Sequence, residues 1–243
     1  MPSRRHVIAD DLRKQISTGR IKAGERLPSE AQLASQYMVS TPTLRSALAV
    51  LQGEGLVEKI HGKGNFVRHA LRRITYVGSG RMLDAQTTAD AALRVSVRTT
   101  NVRARGHLPA LLRVPASSPL TEFLCLSHEG KSPHSLARIY VPRDLAPAGM
   151  LGESPWYEGV EARLAELRPP LAEIQETVSA RLPTPEEAAT LRISSTLAVL
   201  AITRVAANTT GRVVEAAFLV LPGDRADAVF TIHHTIEERG TEG

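Results

Sequence analysis

The sequence has a single cysteine, few aromatic residues and no long apolar run. Of its 243 residues only Cys125 is a cysteine, so no disulfide can form within the chain, and a reducing compartment is favoured. No stretch approaches the roughly 18 consecutive apolar residues that a membrane-spanning helix needs. The amino terminus, MPSRRHVIADDLRKQ, carries charges where a signal peptide would need an apolar segment. These absences predict a cytoplasmic protein with no membrane partner.

The lone cysteine is a weak candidate for a nucleophile. Phe123 precedes it by two residues, and Leu124 and Leu126 flank it directly. An apolar environment raises the pKa of a thiol and so suppresses the reactive thiolate. We therefore predict that Cys125 is buried and structural rather than reactive.

The histidines lack the spacing of a metal site. His128 and His134 flank a predicted turn, and His233 and His234 are adjacent. Neither pair has carboxylate or cysteine partners at a zinc-ligand spacing, and adjacent residues of a strand point to opposite faces. No nucleophile and base stand at a recognisable spacing either. The sequence therefore predicts no catalytic residue, no metal and no cofactor, and the protein is not expected to be an enzyme.

The positive charge is confined to the first third of the chain. Residues 1–75 hold 13 Lys and Arg against 6 Asp and Glu, a net of +7, whereas residues 76–243 have a net of −2. A basic module joined to a mildly acidic one suggests that the first meets a polyanion and the second meets something else. Charge alone would leave an ordinary solvated basic surface as an alternative.

Three amphipathic helices are predicted in this basic part. Apolar residues recur every four positions over residues 8–16, which is the period of one helix face. Ser29 can cap a second helix. Ser40 or Thr41 can cap a third, in which Pro42 suits the first turn. The short connection between the second and third helices is typical of a helix-turn-helix.

A short β-hairpin follows the third helix. In LVEKIHGKGNFV the period changes from helix to strand, and glycines stand where the turn needs positive φ. A phosphate-binding P-loop would need a strand before its glycines, a Lys-Ser or Lys-Thr ending and a helix after it. Here the ending is Asn65-Phe66 and a strand follows. The segment HGKGN is therefore interpreted as the tip of a wing, and the elements together predict a winged helix-turn-helix.

Residues 6–68 resemble the DNA-binding domain of the GntR family of bacterial transcription regulators. The resemblance is carried by the blocks RLPSE, LA-x-Q-Y, T-x-R-x-AL, L-x-x-EGL and G-x-G-x-FV. It implies that the third helix enters the major groove, that helix starts hold phosphates and that the wing approaches the minor groove. The residues that it implies for DNA contact are Arg4, Arg5, Arg26, Ser29, Ser40, Thr41, Thr43, Arg45, Gly62, Lys63 and Gly64.

The chain departs from the family pattern in the turn before the third helix. Many members have Gly-Val-Ser-Arg where this chain has Met38, Val39, Ser40 and Thr41. An arginine in the major groove can bond bidentately to guanine, so its replacement by Thr41 predicts a different operator half-site. For Arg45 the alternative to DNA contact is a surface arginine paired with nothing.

The remaining chain reads as strands with a few helices. We expect a winged helix-turn-helix domain at 1–69, a linker at 70–90 and a second domain at 91–243. Segments with strand character are LRVSVRTTNVRA, PLTEFLCLSHEG, HSLARIYVP, AEIQETVSARLP, LAVLAITRVA and VVEAAFLVLPG; segments with helix character are LPALLRV, WYEGVEARLAEL and TPEEAATLRI. The pattern predicts an α+β fold on a mainly antiparallel sheet.

This second part resembles the UTRA effector-binding domain of the HutC branch of the same family, whose fold is like that of chorismate lyase. The blocks ARLPTPEEAATLRI, G-R-x-V-E and P-G-D-R carry the resemblance. It implies a domain that binds a small-molecule effector and pairs to form a homodimer. Candidate ligand-binding residues are Arg138, Tyr140, Arg204 and Glu215. An Arg and a Glu on neighbouring strands can equally form a cross-strand pair, and that alternative stays open.

The candidate effector strand is unusually apolar for this family. Relatives commonly carry arginines on the strand that matches FLCLSHEG and a glutamate three residues before the tyrosine of Y-x-P. This chain has Phe123 to Leu126 on that strand, and Ala137 stands before Tyr140. We therefore expect a larger and less charged ligand than a sugar phosphate.

Three functions remain open on the sequence. The first is a transcriptional repressor that binds double-stranded DNA with two-fold symmetry as a homodimer and is released by a small-molecule effector. The second is a DNA-binding dimer whose C-terminal domain no longer binds a ligand. The third is a small-molecule enzyme with a DNA-binding appendage, since fold does not imply function.

Overall fold

The chain forms a helical head followed by a large antiparallel sheet in the computed structural model. The structure describes residues 3–69, 73–78, 82–84, 94–130, 132–146, 152–154 and 170–231. The head consists of α1 (Arg4–Ser17), α2 (Glu30–Gln36), α3 (Thr41–Gly53), β1 (Val57–Ile60) and β2 (Gly64–Val67). These are the elements of the predicted winged helix-turn-helix.

The local signals in the head sequence explain where its helices begin. Ser29 caps α2 by accepting from the backbone of Gln32, whose side chain in turn accepts from the Ser29 backbone, a reciprocal capping box. Ser40, rather than Thr41, is the N-cap of α3, and Thr41 is its first residue. Inside, the three helices and the hairpin share one apolar core, formed by Ile8, Ala9, Leu12, Leu27, Leu33, Ala34, Leu44, Ala47, Leu48, Leu51, Val57 and Val67.

The second domain is built on a seven-stranded sheet with the order β8-β5-β6-β7-β11-β10-β9, in which the neighbouring strands pair antiparallel. The strands are β5 (Arg94–Arg103), β6 (Pro119–Glu129), β7 (Ser132–Pro142), β8 (Gly152–Ser154), β9 (Leu171–Arg181), β10 (Val199–Asn208) and β11 (Val213–Pro222). Two short helices, α4 (Leu108–Leu112) and α5 (Pro185–Leu191), lie within segments that were predicted to be helical. The predicted α+β fold with an antiparallel sheet is therefore confirmed.

The two faces of this sheet are covered differently. On one side, here called the helix face, α4 and α5 pack on Leu120, Leu136, Ala216 and Val220. On the other side, here called the core face, Ile74 and Tyr76 from outside the sheet pack against sheet residues. The buried cluster on this face consists of Ile74, Tyr76, Val97, Phe123, Cys125, Ile139, Val141, Ile202, Ala217, Leu219 and Leu221.

Part of the predicted linker at 70–90 packs against the second domain. Residues 74–76 form β3, which pairs with β4 (Met82–Asp84) and with β12 (Ala226–Ala228) in a small three-stranded sheet. Tyr76 is fully buried, with 0% of its surface exposed, and Ile74 is nearly so at 2%. The alternation of Ile74-Thr75-Tyr76 is the local signal for this strand. The rest of the linker lies largely outside the described residues.

Two further predictions can be placed. Cys125 is buried on the core face, which confirms the prediction that the lone cysteine is buried. The predicted helix WYEGVEARLAEL and the pair His233-His234 lie outside the described residues.

Candidate DNA-binding and effector sites

The recognition helix presents an arginine that is held by an acidic partner. Arg45 in α3 has a side chain that is 64% exposed, and its Nε donates to the Glu30 carboxylate at 2.6 Å. Lys59 of the wing lies 3.5 Å from the other oxygen of Glu30. The hydrogen bond from Arg45 is the main reason that the pKa of Glu30 lies below its ordinary value. The alternative considered for Arg45, a surface arginine paired with nothing, is thus wrong, because Glu30 pairs with it and orients it.

The hydroxyl groups at the helix starts have structural partners. The Ser29 hydroxyl accepts from the Gln32 backbone at 3.2 Å. Ser40 Oγ accepts from the Thr43 backbone at 3.4 Å and lies 2.9 Å from Thr43 Oγ1. The side chains of Ser29 and Ser40 are exposed, and Thr41 and Thr43 are half-buried. Each bond satisfies one backbone N–H group at the start of α2 or α3; the other N–H groups of a helix's first turn lack an internal partner, and such groups can bind a phosphate.

The wing tip is built for a close approach of its backbone. Gly62 has φ +73° and Gly64 has φ +109°, values that side-chain-bearing residues rarely adopt. A Cβ on Gly64 would lie 3.3 Å from Arg26 Nε, so the missing side chain also makes room for Arg26. Lys63 between them is exposed. Arg26 pairs with Phe66 in an isolated bridge, which places this arginine beside the wing.

Several of the predicted DNA contacts are linked to one another through shared neighbours. Glu30 joins Arg45 to Lys59 of the wing, and Arg26 lies over Gly64. Arg4 and Arg5 are exposed in the first turn of α1. Sequence reasoning did not single out Glu30 or Lys59. Glu30 is the last residue of the RLPSE block. A glutamate is not expected on a surface that binds DNA, because phosphate repels its carboxylate.

Met38 occupies a strained position in the turn before α3. Its φ is +52°, and 85% of its surface is exposed. The left-handed region costs a residue with a side chain about 1–2 kcal/mol. The glycine that many relatives have here thus has a conformational reason.

The four ligand candidates divide between the two faces of the effector sheet. Arg138 and Tyr140 on β7 pair with Phe218 and Ala216 on β11, and they lie on the helix face. Arg204 pairs with Ala217, which lies between Ala216 and Phe218 on β11. Successive residues of a strand point to opposite faces, so one pocket cannot contain all four side chains.

Arg204 and Glu215 form the cross-strand pair that the sequence left as an alternative. Arg204 Nη1 donates to Glu215 at 3.2 Å, and their side chains are 10% and 2% exposed. Arg204 Nε also lies 3.8 Å from Glu176, which accepts from the Tyr76 hydroxyl at 2.5 Å. The prediction that Arg204 and Glu215 share one site with Arg138 and Tyr140 is wrong. Because successive residues of a strand point to opposite faces, Arg204 and Glu215 lie on the core face, where β3 packs.

On the helix face, Glu122 is the centre of a half-buried polar cluster. It accepts from Tyr140 Oη at 2.7 Å, from Thr100 Oγ1 at 3.1 Å and from Arg138 Nη1 at 3.4 Å. Arg138 also donates to Glu186 at the start of α5. Burial, followed by the hydrogen bond to Glu122, raises the pKa of Tyr140 to about 12. Its hydroxyl is therefore a donor at neutral pH.

Aromatic and aliphatic side chains border this cluster. Phe218 packs edge-on against Tyr140, with ring centroids 5.9 Å apart, and against His107, at 5.1 Å. Leu124 lies directly opposite Arg138 in the β6–β7 register, and Leu126 lies opposite Leu136. We call Glu122, Arg138, Tyr140, Phe218 and Leu124 the effector patch. It offers a hydrogen-bonding centre with an apolar rim, and Glu122 and Phe218 were not found from the sequence.

The fold and the exposed basic residues of the head define a winged helix-turn-helix transcription regulator. A family model described as bacterial regulatory proteins of the gntR family matches residues 4–67. The UTRA domain model matches residues 95–227, which is more than half of the chain. The chain belongs to the GntR family of bacterial transcription regulators and carries a UTRA domain, as the sequence motifs predicted.

Individual relatives are similar at modest identity. The chain is 33% identical over 140 residues to an HTH-type transcriptional regulator of Rhizobium meliloti, RB1450, covering 56% of this chain and 57% of that protein. It is 26% identical over 224 residues to the HTH-type transcriptional repressor NagR of Bacillus subtilis, covering 90% of each. Thus it spans just over half of the first relative and nine tenths of the second.

A solved structure has the same fold. The crystal structure of PhnF from Mycobacterium smegmatis matches with a TM-score of 0.54 at 19% identity, covering 94% of this chain and all of that chain. Among the described residues, no helix is long and apolar enough to cross a membrane. Nor do the described side chains bring three His, Cys, Asp or Glu together as metal ligands.

Proposed function

We propose that this protein is a homodimeric transcriptional repressor that binds an operator with two-fold symmetry and is released from it by a small-molecule effector. The observation that carries the proposal is the presence, in one chain, of an exposed recognition helix and a UTRA domain with a half-buried polar patch. The repressor NagR, to which nine tenths of the chain is similar, supports the sign of regulation. The HutC branch, a cytoplasmic location and the absence of catalysis belong to the same proposal.

The DNA part of the proposal assigns roles to two kinds of residue. Arg45 reads a base edge, because Glu30 holds its Nε and leaves the terminal nitrogens of the guanidinium for guanine. Lys63, the glycines of the wing and the helix starts hold phosphates and set the register. Operator symmetry follows from pairing two heads, with half-sites about one helical turn apart.

The effector part assigns the ligand to the effector patch. Leu124 and Leu126 lie on the strand on which relatives commonly carry arginines, and Arg138 is already bound to Glu122 and Glu186. These partners favour a ligand with apolar surface and hydrogen-bonding groups over a sugar phosphate. Arg204 and Glu215 are assigned to the fold and not to the ligand.

The first experiment is selection of bound sequences from random duplex DNA by the purified protein at two salt concentrations. We expect a two-fold symmetric site whose affinity falls as salt rises. Sedimentation of the complex should give two chains per site. Recovery of no common sequence would overturn the proposal of an operator-specific regulator.

The effector assignment is tested separately with a panel of small metabolites. We expect an uncharged or weakly charged compound to raise the melting temperature and to release the selected operator, and Tyr140→Phe to weaken both effects. A sugar phosphate that acts while no apolar compound does would overturn the proposed ligand class. If no compound binds, the C-terminal domain serves dimerisation only.

A further inference from the structure

The wing is tied to the recognition helix by a buried amide. Asn65, in β2 of the wing, is only 5% exposed, and its Oδ1 accepts from Gln52 Nε2 of α3 at 3.1 Å. A buried amide without a partner would destabilise the fold, so this position requires one. Gln52 and Asn65 stand at unspecified positions of the blocks L-x-x-EGL and G-x-G-x-FV. The bond is therefore a feature of this chain that those motifs do not supply.

A second contact joins the wing to the recognition helix from the other strand. Lys59 of β1 lies directly opposite Asn65 in the hairpin register, so their side chains share one face of the wing. Lys59 Nζ is 3.5 Å from one oxygen of Glu30, whose other oxygen accepts from Arg45 Nε. The same face of the wing thus reaches Gln52 through one strand and Arg45 through the other.

Both contacts return to one face of α3. Arg45 and Gln52 are seven residues apart in this helix, which is two turns, so they lie on the same face about 10 Å apart along the axis. The contacts therefore close a ring. We call it the wing ring, and it consists of Arg45, Glu30, Lys59, Asn65 and Gln52.

The wing ring lies at the base of the wing tip. Lys63 is two residues from Asn65, which is about 7 Å along a strand. The tip residues 61–63 are exposed, whereas Asn65 and Val67 are buried. On the far side of β2, the Asn65 carbonyl oxygen accepts from the Leu27 backbone at 2.9 Å. Asn65 is therefore the buried residue nearest the tip, and its contacts set the direction in which the tip projects.

We propose that the wing ring positions the wing on the recognition helix, so that Lys63 reaches a phosphate while Arg45 reads its base. In this arrangement Gln52 and Asn65 are positioning residues, which act through Lys63 and do not themselves touch DNA. The inference rests on the proposed function, because it assigns two further residues to the same DNA-binding surface. A tip that is already ordered binds DNA without the entropic cost of ordering it on binding.

The decisive experiment asks whether Lys63 still contributes when the bond is removed. Asn65→Leu deletes the bond with an apolar side chain of similar size. Salt titrations of operator binding are compared for wild type, Asn65→Leu, Lys63→Ala and the double variant. In wild type, Lys63→Ala should lower the slope of log affinity against log salt by about one, a loss here called the Lys63 effect. We expect Asn65→Leu alone to lower the slope by a similar amount and to abolish the Lys63 effect.

A bond that only stabilises the fold would give a different result. Asn65→Leu would then lower the melting temperature but leave the Lys63 effect at about one, and this outcome would overturn the proposal. A wild-type protein without a Lys63 effect would overturn it as well. Both results leave an operator-specific regulator in place, whereas failure of wild type to bind any selected sequence would overturn the proposed function.

The matched control removes another hydrogen bond between elements of the head. Tyr37 Oη, at the end of α2, donates to the Asp11 carboxylate of α1 at 2.6 Å. Tyr37→Phe deletes that bond away from the wing. It should leave the Lys63 effect at about one.

A second pair of variants changes the bond from the helix side. Gln52 is half-buried, and methionine suits a helix there, so Gln52→Met also covers the case in which Asn65→Leu does not fold. It should abolish the Lys63 effect, and an unchanged effect would overturn the proposal. Gln52→Glu is the rescue, because its carboxylate can accept from the Asn65 amide N–H. It should restore the Lys63 effect; a folded Gln52→Glu variant without it would show that no bond between these positions holds the wing.

Discussion

Arginine–glutamate pairs occur in both domains, but they differ in exposure. In the head, the side chains of Arg45 and Glu30 are 64% and 22% exposed; in the effector domain, those of Arg204 and Glu215 are 10% and 2% exposed. An exposed pair contributes little to stability and can exchange its partner for DNA. A buried pair cannot be broken on one side without leaving an uncompensated charge. The same two residue types therefore form an exposed, exchangeable pair in one domain and a buried structural pair in the other.

The largest expected effect tests the buried side of this comparison. Arg204→Ala removes the guanidinium that lies beside Glu215 and Glu176 and should lower the free energy of unfolding by about 3–5 kcal/mol. Denaturant unfolding measures the change. The control is Arg212→Ala, which removes an exposed pair of the same domain, 47% and 60% exposed, and should cost less than about 1 kcal/mol. Equal effects of the two variants would break the comparison.

The next effect tests the exposed side. Arg45→Ala should change the free energy of unfolding by at most about 0.5 kcal/mol but lose about 1–3 kcal/mol of discrimination at one base pair. Competition binding with single-base variants of the selected operator measures the discrimination. Arg13→Ala is the control, because the Arg13 side chain, 37% exposed, pairs with Glu54 in the same head. Uniform weakening on all sequences would mean that Arg45 only holds a phosphate.

Met38 sharpens the comparison within the head. Met38→Gly relieves a left-handed residue and should raise the free energy of unfolding of the head by about 1 kcal/mol. Because 85% of Met38 is exposed, no packing is lost. Thermal unfolding measures the change in stability, and an operator titration measures whether the affinity for DNA changes. A more stable variant with weaker operator binding would show that Met38 contacts DNA; a less stable one would contradict the strain argument.

The smallest expected effect concerns the wing lysine. Lys63→Ala should weaken binding on all duplexes by a similar factor and lower the slope of log affinity against log salt by about one. A salt titration on the operator and on unrelated duplex DNA measures both. Loss of preference for the operator, with an unchanged slope, would assign base reading to the wing.

Most of the head could be predicted from local sequence signals. Ser29 and Ser40 act as N-caps, Gly62 and Gly64 adopt positive φ, and Leu44 to Leu51 form the inner side of α3. Each of these features depends on residues a few positions apart. The pairing of Arg45 with Glu30 does not, since it joins two helices, and it could not be inferred from either segment.

The effector site was predicted less completely, for a physical reason. Strands β5 to β7 and β9 to β11 were visible as patterns, but a ligand patch depends on which strands are neighbours and on their register. That register places Glu122 opposite Tyr140 and Arg204 opposite Ala217. A shift of one residue would exchange the faces, so the sequence alone left the roles of Arg204 and Glu215 open.

By itself, the sequence determined the family, the two-domain order, the helix starts and the conformation of the wing, because caps, glycines and apolar periods act locally. Only the tertiary structure decided which arginine lies in the core and which lies exposed on the head. It alone brought Arg68 against Asp224, 156 residues further along the chain. Long-range contacts depend on how strands are ordered and how domains meet, and no local pattern encodes either.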